Sequence, residues 1–169
     1  MGLGDMALGG MADVDPMRAF YAGSLPAKTS GLLDQAMSSY ADTEQAEALL
    51  QQAHREDPEA LPVYFSLYKF YFYKGRLADA ERAVRQALEA AARQGGFSAD
   101  HMQLTANSVD WSRHDSPAHF YLFSLKALAF IRLRQRDQAG CEAILKKLKE
   151  LDKTDTVGGS VIEAFAAGV

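Results

Sequence analysis

Apolar residues recur along this chain three or four positions apart, the spacing of one helical face, and almost nowhere in strict alternation. Leu33, Met37 and Tyr40 share a face in the stretch that begins near Leu32. Asp42 or Thr43 suits a helix N-cap, and Ala46, Leu49, Leu50 and Ala53 then make the stripe of a second helix. Asp57-Pro58 marks a turn. Residues 61–73 predict a third, unusually aromatic helix, with Tyr64, Leu67, Tyr68 and Tyr71 on one stripe and Phe65, Lys69 and Phe72 on the next. Gly75 suits a left-handed residue after it. A fourth helix of strong helix formers runs from Leu77 to the Gly95-Gly96 break. Residues 95–115 are polar and mixed. Ser116-Pro117, cap and first helical residue, open a long helix to about Arg134, and a turn at 135–137 leads to a helix anchored by Leu145, Leu148 and Leu151. Gly158-Gly159 precede a last short helix. The pattern predicts seven or eight helices and no strand, an all-α chain.

The second and fourth helices echo one another. Ala46, Leu50 and Ala53 recur as Ala80, Val84 and Ala87, each displaced by 34 positions. A period of that length means stacked helix–turn–helix units that cannot bury their apolar faces alone. Stacking leaves an extended concave surface suited to holding another protein.

Residues 61–92 resemble a tetratricopeptide repeat. Tyr64, Leu67 and Tyr71 stand at the aromatic, Leu and Tyr positions of its first helix, Gly75 at its turn, and Ala80, Val84, Ala87 and Leu88 on its second helix. Tyr68 departs from the pattern where the family carries a small residue, and is expected to spread or tilt the helix pair. The unit before it is half preserved, through Leu33, Ala46, Leu50, Ala53 and Pro58. The unit after it is anchored by Phe130, Gly140, Ile144 and Leu148. Ala80 and Gly140 lie 60 residues apart, so an insertion made of residues 95–115 and some helix extension is expected. The resemblance covers residues 30–152. It implies a right-handed helical-repeat solenoid of about three helix pairs with a capping helix. The domain is expected to span 28–169, after a flexible N-terminal tail over 1–27 in which 17–22 could form one helical turn on the first unit.

In that family the first helix of each pair lines the groove. The resemblance therefore implies a groove of Phe65, Lys69 and Phe72 in the central unit and Tyr121, Ser124 and Leu128 in the last, with the insertion as one wall. Aromatic residues beside a lysine are typical anchors for a partner. The competing reading makes Phe65 and Phe72 core, covered by the tail or the insertion. The family's clamp for acidic C-terminal tails pairs Lys with Asn. Lys69 is present, but Asn107 lies in the insertion, so an apolar or mixed groove is expected.

Composition narrows the function classes. The 169 residues carry a net charge of −4, which argues against general nucleic-acid binding. Residues 1–60 hold ten acids and three bases, and residues 126–153 hold eight bases and four acids. Solvated helix faces explain most of this, and a charge polarity along the stack would orient a partner or a second copy. No stretch reaches membrane-span length. The acidic, Gly-broken start is unlike a signal peptide, Met6 stands where a myristoylation pattern needs Ser or Thr, and Cys141 is the only cysteine. A cytoplasmic protein follows.

Candidate chemistry is thin. His101, His114 and His119 lie near Asp100, Asp110 and Asp115, a possible metal set with poor spacing. No nucleophile elbow or phosphate loop is present, and no cofactor is expected. Trp111 is expected to pin the insertion and Cys141 to be buried. The expectation is therefore a non-catalytic adaptor or assembly factor for a protein or peptide. Three alternatives stand beside it: a secretion-type chaperone, a metal-binding protein or enzyme centred on the His-rich insertion, and a homodimer formed through the groove. A looser resemblance to small bacterial repeat proteins encoded near nitrogen-fixation genes implies help in metalloenzyme maturation.

Overall fold

The computed structural model describes residues 25–168. The tail and its 17–22 stretch lie outside these, apart from the last residues before the first helix. Among the described residues the chain forms seven α-helices, one 3-10 turn and no strand. They are α1 (Ala27–Ser38), α2 (Thr43–Glu56), α3 (Leu61–Tyr73), α4 (Leu77–Gly95), α5 (Pro117–Arg134), α6 (Gln138–Leu151) and α7 (Gly159–Ala166), with the 3-10 turn His101–Gln103 in the insertion. Each helix packs on the next in the runs α1–α4 and α5–α7, α4 packs on α5 across the insertion, and α7 touches both α5 and α6. The pairs α1/α2, α3/α4 and α5/α6 are the three units, and α7 caps the stack.

Local chemistry places the ends. Asp42 caps α2 by accepting from the Gln45 N–H at 3.1 Å, and Ser116 caps α5 by accepting from the His119 N–H at 3.2 Å. Helix α1 starts at Ala27, five residues before the periodicity becomes visible, because Pro26 sets its entry and the first turn packs through Thr29, which is 2% exposed.

Inside each pair, small residues set the approach. Ala80, Ala87, Ala90 and Ala91 of α4 are fully buried at the crossings, which lets α3 and α5 pack closely on either side. The repeat register of the third unit follows from its turn. Gly75 (φ 73) and Arg136 (φ 65) are both left-handed. Gly75 N–H donates to Phe72 and Arg76 N–H to Tyr71; Arg136 N–H donates to Leu133 and Asp137 N–H to Arg132. The third unit is therefore offset by 61 residues from the second, one more than the Ala80–Gly140 spacing suggests. Cys141, not Gly140, occupies the place of Ala80, and both are 0% exposed. The insertion hides this register from the sequence because it also lengthens its flanking helices: α4 has 19 residues against 14 in α2, and α5 has 18 against 13 in α3.

Carboxylates tie successive units together. Glu47 of α2 receives Arg76 at 2.6 Å. Its counterpart Glu81, 34 residues on, receives Arg132 at 2.6 Å and the Gln135 amide at 3.1 Å. The Arg76 hydrogen bond holds the Glu47 carboxyl below its ordinary range. For Glu81 burial acts against the charge, but Gln135, Arg85 and Arg132 outweigh it, and its pKa too is lowered. A depressed carboxyl contributes stability that is fully present above its unfolded pKa of about 4.3 and is lost as pH falls through the folded value. Glu81→Gln should therefore flatten the acid limb of the stability curve below about pH 4.5, measured by urea melts at stepped pH. Arg136 holds a conformation that costs an L-residue about 1–2 kcal/mol, so Arg136→Gly should raise stability by roughly 0.5–1 kcal/mol in the same assay after the entropy cost of glycine.

Candidate functional site

The resemblance directs attention to the first helices of the units, α3 and α5. On α3 every residue is buried except Ser66, Lys69 and Tyr73, which form a half-buried stripe at helical spacing. Lys69 Nζ lies 5.9 Å from the centres of both the Phe65 and the Tyr73 ring. On α5 the register places Ala127, Phe130 and Arg134 at the corresponding positions. The Arg134 guanidinium lies 5.6 Å over the Phe72 ring. The face is thus an aromatic floor with two cations, Lys69 and Arg134, at its surface.

Of the six residues expected in the groove, five are buried and Lys69 is half-buried. Phe65 and Phe72 are 1% and 5% exposed because their positions face the next unit, not the groove. Phe65 meets Phe123 at 5.6 Å and Phe72 meets Phe130 at 5.1 Å across the α3–α5 seam. Ser124 is buried in the same seam, its hydroxyl 3.4 Å from that of Tyr68. Tyr68, the large residue at a small position, is accommodated by this contact and by an edge-on packing with Phe65 at 5.3 Å. Leu128 is core. Tyr121 is fully buried and donates to the Ala99 carbonyl at 2.7 Å. The counterparts of Phe65, Lys69 and Phe72 are Lys126, Phe130 and Leu133, five or six positions beyond the residues expected from sequence. The missed residues Ser66, Tyr73 and Arg134 have one legible signal: they follow Lys69 at helical spacing, once the 61-residue offset is known.

The insertion is anchored against α5 and α6. Trp111, 7% exposed, donates to the Thr105 carbonyl at 3.0 Å and packs with Phe97 and Tyr121. Lys147 of the outer helix α6 donates to the Leu104 carbonyl at 2.8 Å. These contacts hold the segment against α5 and α6.

The histidines do not assemble a metal centre. His114 and His119 stack at 4.8 Å, and among the described residues no group of three or more His, Cys, Asp or Glu is placed to hold a metal. The nearby acids are engaged in turns: Asp100 accepts from the Met102 N–H, Asp110 from Ser112, and Asp115 pairs with Arg113. Burial lowers the pKa of both His101 and His119. Burial also pushes the Cys141 thiol up to about 11, which leaves it protonated and unreactive at neutral pH.

Lys126 is the unexpected charge. It is 3% exposed, sits at the Phe65 position of its unit, and lays its ammonium 4.3 Å over the Phe123 ring. Burial pulls its pKa down to about 8, partly offset by Asp155 and Asp152.

A stack of helix pairs with small residues at the crossings defines a helical-repeat protein. Comparison with known proteins agrees with this architecture: residues 39–95 match the tetratricopeptide repeat family. The chain is also similar to an uncharacterised 19.8 kDa protein from the nifW 5′ region of Azotobacter chroococcum mcd 1. The two are 29% identical over 119 residues, which cover 69% of this chain and 67% of that protein. No solved structure matches the chain. Among the described residues no helix is long and apolar enough to cross a membrane.

A lysine whose folded pKa lies below its unfolded value of about 10.4 costs stability below both values, and the cost fades as pH rises between them. Lys126→Met should therefore stabilise the protein at pH 7 by roughly 2–3 kcal/mol and remove a rise in stability between about pH 8 and 10. Thermal melts across that range measure both effects.

Proposed function

We propose that this protein is a non-catalytic, cytoplasmic adaptor or assembly factor that holds another protein or a peptide on its concave face. One observation carries the reading: the α3–α5 floor is aromatic and buried, while the polar groups left at its surface are Ser66, Lys69, Tyr73 and Arg134. Fixed apolar walls with a few placed cations give orientation to a bound segment without any reacting group. The tetratricopeptide repeat at 39–95 supports a protein partner, since its units stack into such surfaces.

A second reading concerns the pathway. The similarity to a protein from the nifW 5′ region supports a role beside nitrogen fixation, as a maturation chaperone for a metalloenzyme. The partner in that case is a metalloenzyme subunit or an accessory protein of its assembly.

Affinity capture from a cell that expresses the protein tests both. Wild type is compared with a Lys69→Glu/Arg134→Glu variant whose helicity is checked by circular dichroism. A specific protein retained by wild type and reduced at least tenfold in the variant supports the groove, and its identity tests the pathway. Equal capture by both would remove the concave face from consideration.

A further inference from the structure

Lys126 and Phe130 stand one turn apart on the same face of α5. Phe130 meets Phe165 of α7 at 6.0 Å. The charges that act on Lys126 are Asp155 and Asp152, in the segment that leads from α6 into α7. The lysine is 3% exposed, with its ammonium 4.3 Å over the Phe123 ring. Neither aspartate is spent on it. Asp152 accepts from the Thr156 N–H at 2.9 Å, the Thr156 hydroxyl at 2.7 Å and the Val157 N–H at 3.0 Å. Asp155 accepts from the N–H and the hydroxyl of Ser160, in the first turn of α7. Among the described residues no carboxylate forms an ion pair with Lys126. An unpaired charge held out of water is costly, so an opening that wets it is favoured.

The element held least firmly beside that charge is α7. Of its eight residues only Gly159 and Ile162 are buried. Its polar ties are few: Ser160 to Asp155, Glu163 to Lys149 at 3.5 Å, and the Ala166 carbonyl to the Gln138 amide at 2.8 Å. The segment before it passes through two left-handed residues, Asp155 (φ 55) and Gly158 (φ 76), and the first of these is strained as an L-residue.

We propose that α7 with residues 152–158 is a releasable cap, and that the charge on Lys126 sets how often it lifts from α5 and α6. This goes beyond the partner-binding reading. It gives the stack one movable end, over Phe130 and Leu148, while the α3–α5 seam stays closed. With Lys126 charged, opening gains the hydration of the ammonium. With Lys126 neutral, that gain is absent and the cap stays down. The other titratable group near it is His119 on its own helix, which burial keeps neutral at pH 7 and above. Glu163 of α7 is turned to Lys149, and among the described residues α3 and α4 set no charge against Lys126.

Native-state hydrogen exchange of the full chain, read by NMR at pH 7, 8 and 9 and corrected for intrinsic rates, tests the proposal. No partner is present, so its failure leaves the partner-binding reading standing. Lys126 loses its proton near pH 8 in the closed state, and near its ordinary value of about 10.4 once wetted. Opening of α7 should therefore be about tenfold rarer at pH 9 than at pH 7. The expected result is that amides of residues 163–167 exchange through an opening that urea barely promotes, while those in the middle of α5 exchange only by global unfolding. In Lys126→Met the α7 opening should be rarer at pH 7 and independent of pH. Exchange of α7 in step with α5 would overturn the proposal. So would a wild-type α7 opening that ignores pH, since a short helix that merely frays has no reason to follow Lys126. These two outcomes need only the wild type. A pH dependence that persists in Lys126→Met would overturn it as well.

Discussion

The seam between α3 and α5 is the contact on which the rest of this structure depends. A single helix pair of this kind is too small to bury its own apolar surface, so each unit needs the next one. Here Phe65 meets Phe123, Phe72 meets Phe130, and Tyr68 meets Ser124 along one line. Aromatic contacts of this type, edge-on at Phe65–Phe123 and tilted at Phe72–Phe130, contribute about 0.5–1.5 kcal/mol each beyond the area they bury. Their larger effect is geometric, because side chains this size fix how far apart the first helices stand and thus how wide the concave face opens.

That seam explains two features that look irregular in isolation. The insertion between α4 and α5 separates the second and third units in sequence, yet it leaves their stacking intact. Its own residues are gathered against α5 and α6 by Trp111, Tyr121 and Lys147. Lys126 then occupies on α5 the place that Phe65 fills on α3, a lysine where the unit before has an aromatic ring. The eight-residue α7 closes that end of the stack with Ile162 and Phe165. The end of the stack is held less by aromatic packing than its middle.

The functional consequence lies in what the seam leaves outside. By taking Phe65, Phe72 and Phe130 inward, it turns a helix that reads as an aromatic patch into a floor with few polar groups at its surface. On the proposed reading, recognition on such a face rests on shape and on the placement of Lys69, Tyr73 and Arg134. It does not rest on a large exposed apolar surface, which would invite indiscriminate association. The carboxylates Glu47 and Glu81 repeat the same economy on the outer side, one per unit, each taking an arginine from the unit that follows.

Much of the fold was legible in the sequence. The bounds of α2, α3 and α5 follow from Asp42, Gly75 and Ser116-Pro117, because caps and left-handed turns are local chemistry. The 34-residue echo of Ala46, Leu50 and Ala53 is legible too, because helix crossings accept only small or fitted residues. The buried, pinning role of Trp111 could also be read, since a long segment needs an anchor to stay ordered. The groove could not. Whether Phe65 and Phe72 point to solvent or to a neighbour depends on which helix stands beside them, and an insertion of unknown geometry separates that neighbour in sequence. Only the tertiary structure supplied the 61-residue offset, read from the matching turns at Gly75 and Arg136. Local sequence determined where helices begin, end and cross; the contacts between distant helices decided which of their aromatic faces became core and which residues stayed at the surface.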